Sequence, residues 1–306
     1  MSTVPTGSGP TRAAPPARAA STVDRGMRRD EVAELGLPLG PRSLTWRYFG
    51  DLRGLVLAER AGVLQNMHPV ISQTLVDHSD FFANPMDRIR RSGPPILGVV
   101  YDRAERGTGP HVRDFHKGIK GTDLHGRGYR ALDPEAFYWA HATFFEGQLA
   151  TQRLLGTPLS DDAQERLYRE SITWYARYGM SLRPVPRDYA AFRRYWDEML
   201  DDVLEATPVA LFGVRRVEHQ PPPLPEIPRL VWAGLRPAAV RLGPWLGRVT
   251  LPRRAREVLG VDRSLVDEAA LGVLRTAVRT TWPALPHALR RQPRALVADR
   301  REGVRC

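Results

Sequence analysis

The stretch His111–Gln148, HVRDFHKGIKGTDLHGRGYRALDPEAFYWAHATFFEGQ, decides how this chain is read. Val112, Phe115 and Ile119 recur at i, i+3 and i+7, and Phe137, His141 and Phe145 at steps of four. That spacing predicts two helices joined by a glycine-rich turn. Asp133-Pro134-Glu135 opens the second with a capping side chain, a proline in the first turn and an acid at the positive end of the dipole. His116, Lys120 and His141 then sit in an otherwise apolar, aromatic frame. Unpaired ionisable groups there cost kilocalories, so these three need a reason.

Working outward, helical periodicity is frequent and strand signals are scarce. Upstream, TWRYFGDLRGLVLAERAGVLQNMHPVISQTLVDHS reads as one or two buried helices, with Pro69 kinking or restarting the helix just after His68. Asn84-Pro85 starts a further helix, which the Gly93-Pro94-Pro95 step is expected to interrupt or bend. Downstream, Ser160-Asp161-Asp162 caps a helix that Gly179 ends, and Pro186-Arg187-Asp188 opens another. After a proline-rich connector from His219, helices are expected over 226–248, 252–260 and 264–282. The expectation is an all-α domain over 29–295, between a disordered Pro/Ala/Ser/Thr/Gly-rich tail at 1–28 and a frayed basic tail at 296–306.

At 306 residues and 42% hydrophobic content the chain can build a substantial core. Its only cysteine is Cys306, which excludes a disulfide framework and a multi-cysteine metal site, and permits a cytoplasmic location. The net charge of +11 is carried almost wholly by arginine, since Lys117 and Lys120 are the only lysines. These arginines are interleaved with Asp and Glu and no nucleic-acid motif accompanies them, so no nucleic-acid partner is expected. No uncharged apolar run is long enough to span a bilayer. The stretch 229–251, broken by Arg236, Pro237, Arg241, Pro244 and Arg248, reads either as a segment packed on the domain or as a peripheral membrane contact.

HExxH, GxSxG, P-loop and GxGxxG patterns are all absent. What remains is a set of histidines and arginines. His116 lies at the edge of the Val112/Phe115/Ile119 face, where a neutral imidazole can ligate a metal or haem iron; a buried histidine bonded to a carbonyl is the reading the residues by themselves favour. Lys120, at i+4, could meet a haem propionate or end a solvated helix, and Arg113 flanks the other side. His141 and Thr143 are roughly 200° apart on a helix, so only one of them can face a given pocket. His68 either lines the pocket or caps the last carbonyls of its helix. Arg88, Arg91 and Ser92 form an R-x-x-R-S cluster, read as a basic helix surface or as polar groups over one face of a cofactor.

Taken together, LQNMHPVISQTLVDHSDFFANPMDRIRRSG, VRDFHKGIKGTDLHGRGYRALDPEAFYWAHAT and PVPRDYAAFRRYWDEML resemble the oxygenase domain shared by latex-clearing rubber oxygenases and the fungal mycophenolic-acid-pathway oxygenase. The likeness runs from about Trp46 to Leu200 and more weakly beyond. It implies a globin-like helical core holding one haem b, and dioxygen-dependent cleavage of an apolar, isoprenoid-like C=C bond. It also implies His116 as the proximal iron ligand, with His141 as rival, and Thr143 as a pocket residue. The family's R-x-x-K-T pattern falls on Arg88, Arg91 and Ser92. Arginine is a poor iron ligand, so a resting state closed by lysine is not expected here. The competing class is a non-catalytic helical haem or lipid carrier.

Overall fold

Several helix starts in this chain are written as side-chain caps, and there the cap sets where the element begins. The computed structural model describes residues 26–79, 82, 85–214 and 229–304. In order these form α1 (Glu31–Leu35), α2 (Leu44–Phe49), α3 (Arg53–Val56), α4 (Ala58–Asn66), α5 (Pro69–His78), α6 (Pro85–Tyr101) and α7 (Thr108–Asp114). A two-stranded hairpin, β1 (Lys120–Thr122) and β2 (Gly128–Arg130), precedes α8 (Pro134–Leu155) and α9 (Asp161–Ala176). There follow α10 (Tyr189–Glu198, prolonged by a π turn over Met199–Val203), α11 (Pro208–Val214), α12 (Arg229–Thr250), α13 (Arg253–Leu259), α14 (Leu265–Thr281) and α15 (Pro293–Arg301). Asp133, Ser160 and Asp188 accept backbone N–H bonds as the N-caps of α8, α9 and α10. The mainly helical architecture matches expectation, as do the restart at Pro69 and the helices at 229–250, 253–259 and 265–281.

The centre of the molecule is α8. On one side α4 packs against it, where Trp139 Nε1 donates to the Leu64 carbonyl at 2.9 Å. On the other, α9 brings Trp174 and Tyr175 against it, both fully buried. Side chains of this size each contribute about 1.5–3 kcal/mol by burial, or somewhat more for the largest rings. Arg60 of α4 reaches Glu146 of α8, and its Nε donates to the Thr250 carbonyl at 2.9 Å, so α4, α8 and α12 share one buried ion pair.

Three local expectations give way. The two-helix reading of His111–Gln148 fails at its first half, because α7 ends at Asp114 and a hairpin intervenes before α8. The reason is local chemistry. Gly118 and Gly126 take positive φ (79° and 77°), and the Asp123 carboxylate gathers the N–H groups of His125 and Arg127. Tyr129 then pins the hairpin to α5 through Asp77, at 2.7 Å. Second, α6 runs unbroken through Pro94 and Pro95. Proline's φ suits a helix, Pro94 faces solvent, and the following turn is anchored by buried Val99, Val100 and Tyr101. Third, two described stretches read as tail are packed: Met27 is buried, and α15 extends to Arg301 with Ala298 and Asp299 buried. Most of the 1–28 tail and Cys306 lie outside the described residues.

Glu59, on the α4 face that meets Gly213 of α11 and Gly247 of α12, is pushed up to about 7 by desolvation. Between its ordinary 4.5 and 7 the folded state therefore binds the extra proton, so stability should fall as pH rises through that window and level off above it. Chemical denaturation of Glu59→Gln beside the parent should show the variant more stable at pH 8, by roughly 2–3 kcal/mol, with the difference vanishing near pH 4.

Candidate functional site

Between Phe137 and Gly147, α8 keeps only Phe137, Ala140, Phe144 and Gly147 half-buried; every other side chain in that span is buried. The spacing i, i+3, i+7, i+10 makes them one stripe along the helix. A Cβ added at Gly147 would meet nothing within 4 Å, so there is space at that end of the stripe, while Phe144 packs on Phe49 and Trp174 and Phe137 on Tyr178. On one side of the stripe stands Thr143 and on the other His141, as helical phase requires. Thr143 donates to the Ala140 carbonyl at 2.7 Å and accepts from Gln65 Nε2 of α4 at 2.8 Å. Gln65 also donates to the Ala140 carbonyl, at 3.3 Å, so it holds the wall of the stripe on the α4 side.

His141 turns to α9. Its Nε2 is 2.9 Å from Ser171 Oγ, and the rings of Trp174 and Tyr175 close around it at 4.7 and 5.1 Å. Nδ1 has no partner, and burial holds the imidazole neutral, down at about 3. His68 does not cap the helix that precedes it. It is the N-cap of α5: its Nδ1 accepts from Val70 N at 3.3 Å, and burial brings its pKa down to about 4.

His116 lies in the turn after α7, half-buried, with its ring 5.7 Å from that of Phe137 at the start of the stripe. Its Nδ1 is 3.1 Å from the Val112 carbonyl. Since a carbonyl only accepts, Nδ1 carries a proton, and in the neutral ring the lone pair is then on Nε2. This is how a histidine that ligates through Nε2 is usually oriented.

A family profile described as ER-bound oxygenase mpaB/B'/Rubber oxygenase, catalytic domain, matches residues 46–280. The chain belongs to that family. It is thus an oxidoreductase of the oxygenase kind, working on dioxygen and an oxidisable substrate. No curated protein and no solved structure matches it. Among the described residues no helix is long and apolar enough to cross a membrane, and no group of three or more His, Cys, Asp or Glu is arranged to hold a bare metal ion.

The remaining expected site residues separate. Lys120 is not one helical turn beyond His116: it opens β1, exposed, with its carbonyl 3.2 Å from His78 Nε2. Arg113 pairs with Asp114 at 2.7 Å and reaches the Gly179 carbonyl at 3.4 Å. Phe115, expected on the apolar face, is 55% exposed. Arg91 is exposed and Ser92 half-buried on α6, while the side chain of Arg88 lies outside the described residues. Among the described residues α6 leans chiefly on α2, α7 and α15. Sequence reasoning missed Gln65 and Ser171. Gln65 stands in the LQNMHP motif that was read for His68 alone; Ser171 carries no signal beyond its place in a helix.

Two outcomes are expected. Ser171→Ala should leave His141 with neither ring nitrogen paired and cost about 1–3 kcal/mol in thermal or urea denaturation. Because His68 and His141 are neutral when folded and titrate normally when unfolded, their contribution should hold above pH 6.5. It should decline as pH falls through 6.5 towards 4 and 3, which unfolding midpoints measured across that range would reveal.

Proposed function

We propose that this family member is a haem b-dependent oxygenase that inserts dioxygen into, or cleaves, a C=C bond of an apolar, isoprenoid-like substrate, with His116 as the iron ligand. The observation that supports the reading is the His116 Nδ1 contact with the Val112 carbonyl, in a ring 5.7 Å from that of Phe137, which makes Nε2 the nitrogen that would ligate. The other two candidate histidines suit iron less well. His141 is committed to Ser171 and walled by the rings of α9, and His68 spends its lone pair on the start of α5.

The residues present fit a flat apolar ring system. Phe137 and Phe144 are the large side chains of the stripe, Ala140 is the small one between them, and Gly147 leaves room beyond them. Bound haem would supply the dioxygen chemistry, which no side chain here can provide. The protein's part is orientation and dryness. Phe137 and Phe144 would hold an alkene against the stripe and exclude water, and Thr143, clamped between Gln65 and the Ala140 carbonyl, would keep the wall in place. Arg88 and Arg91 would pair with the propionate carboxylates. Helices α4, α6, α7 and α8 would enclose the group in a globin-like way.

An absorption spectrum after haem-supplemented expression is the first test, with a Soret band expected. His116→Ala should lose that band, with added imidazole restoring it, while His141→Ala should retain it. His116→Ala protein that kept full haem occupancy would overturn the ligand assignment. Haem-loaded parent protein should consume dioxygen when given isoprenoid alkenes, and inertness towards all of them would favour a carrier.

A further inference from the structure

Beyond the family-matched residues, the chain closes with a segment that is bolted to the helices around the proposed site. Within it, Arg291 is buried and donates to Asp299 through Nε at 2.8 Å, and to the Trp46 and Arg47 carbonyls through Nη1 at 3.2 and 2.9 Å. Trp46 Nε1 in turn donates to Asp299 Oδ1 at 2.6 Å. On α6, Arg301 reaches the Tyr101 carbonyl at 2.8 Å. Arg294 forks onto Asp102, with Nε 3.0 Å from Oδ1 and Nη2 on Oδ2. The fork needs Gly98: a Cβ there would stand 2.7 Å from the Arg294 guanidinium.

Asp102 also serves a second element. Its Oδ2 accepts from the hydroxyl of Thr108, the first residue of α7, at 2.7 Å. One buried carboxylate therefore joins the end of α6 to the start of α7 and is itself gripped by α15. At their far ends, α6 carries Arg88, Arg91 and Ser92, and α7 leads into His116. Arg91 lies eleven residues before Asp102, about 16 Å along a helix, so a small rotation at the carboxylate becomes a displacement of ångströms at the arginines.

We propose that Asp102 is a positioning residue: clamped by Arg294 and bonded to Thr108, it sets the angle between α6 and α7, and hence the separation of His116 from the arginine cluster. The C-terminal segment 287–301 is then part of the working oxygenase unit. The role assigned to those end groups rests on the haem reading above, but the geometry can be tested without haem. Spin labels at Arg91→Cys and Lys117→Cys, in full-length protein carrying Cys306→Ser, would report the distance between the two helices by pulsed electron resonance. The parent should give one narrow distribution. Asp102→Asn, Arg294→Gln and Thr108→Val should each shift it by several ångströms or broaden it while circular dichroism stays helical.

Lowered melting temperature with an unchanged distribution would mark Asp102 as merely structural and overturn the proposal. Thr108→Val removes only one hydroxyl, so it decides the matter if the charged variants fail to fold. In haem-loaded protein the same variants should weaken imidazole binding several-fold. If the parent takes up no haem, the functional reading fails while the distance measurement still judges Asp102.

Discussion

A helix buried on nearly every side can place its side chains only by phase, and α8 is under that constraint. Its 22 residues run between α4 and α9 with Trp139 on one side and His141 on the other, so two residues two apart in sequence belong to different parts of the protein. Thr143 and Gln65 flank the half-buried stripe on one side, whereas His141, Ser171 and Trp174 are packed together on the other. The partly open stripe between them is the surface left after these neighbours take their shares. Other elements are subordinate to this geometry: α4 supplies hydrogen bonds to it, and the hairpin before it is pinned to α5 rather than to α8.

Two ion pairs in the interior are arranged as closed sets. Arg60 with Glu146 and Arg291 with Asp299 are almost fully buried, and each arginine also donates to backbone carbonyls. Such pairs are no bargain in net stability, but breaking one partner leaves an uncompensated charge. Their effect is to make α12 and α15 dock in one register. Glu59 is the counter-example, a carboxyl that is desolvated with no cation among the described residues to hold it ionised, and this is why its affinity for protons rises.

How much could be read from sequence depended on whether the deciding chemistry was local. The cap at Asp133, the restart at Pro69 and the opposition of His141 and Thr143 follow from residue type and helical phase, and all were legible. The hairpin was not. Val112, Phe115 and Ile119 mimic a helical face, yet the Asp123 cage and the positive φ of Gly118 and Gly126 outweigh a three-point pattern. The double proline misled in the opposite sense, because packing of the following turn carried the helix through it. Asp102 was invisible from sequence, since its partners Arg294 and Thr108 are brought to it only by the fold. The surroundings of His116 were half legible: a histidine bonded to a carbonyl was one of the two readings of its place, but that the carbonyl is Val112's came only with the fold.

The arginine bias has a chemical corollary. Lys117 and Lys120 are the only two lysines in the chain, and both are exposed, one in the turn that bears His116 and the other at the first residue of β1. Apart from the chain's own amino terminus, every primary amine lies within four residues of that histidine. An amine-reactive fluorophore or cross-linker is thus a nearly background-free reporter of this one corner of the molecule, with no engineered handle required.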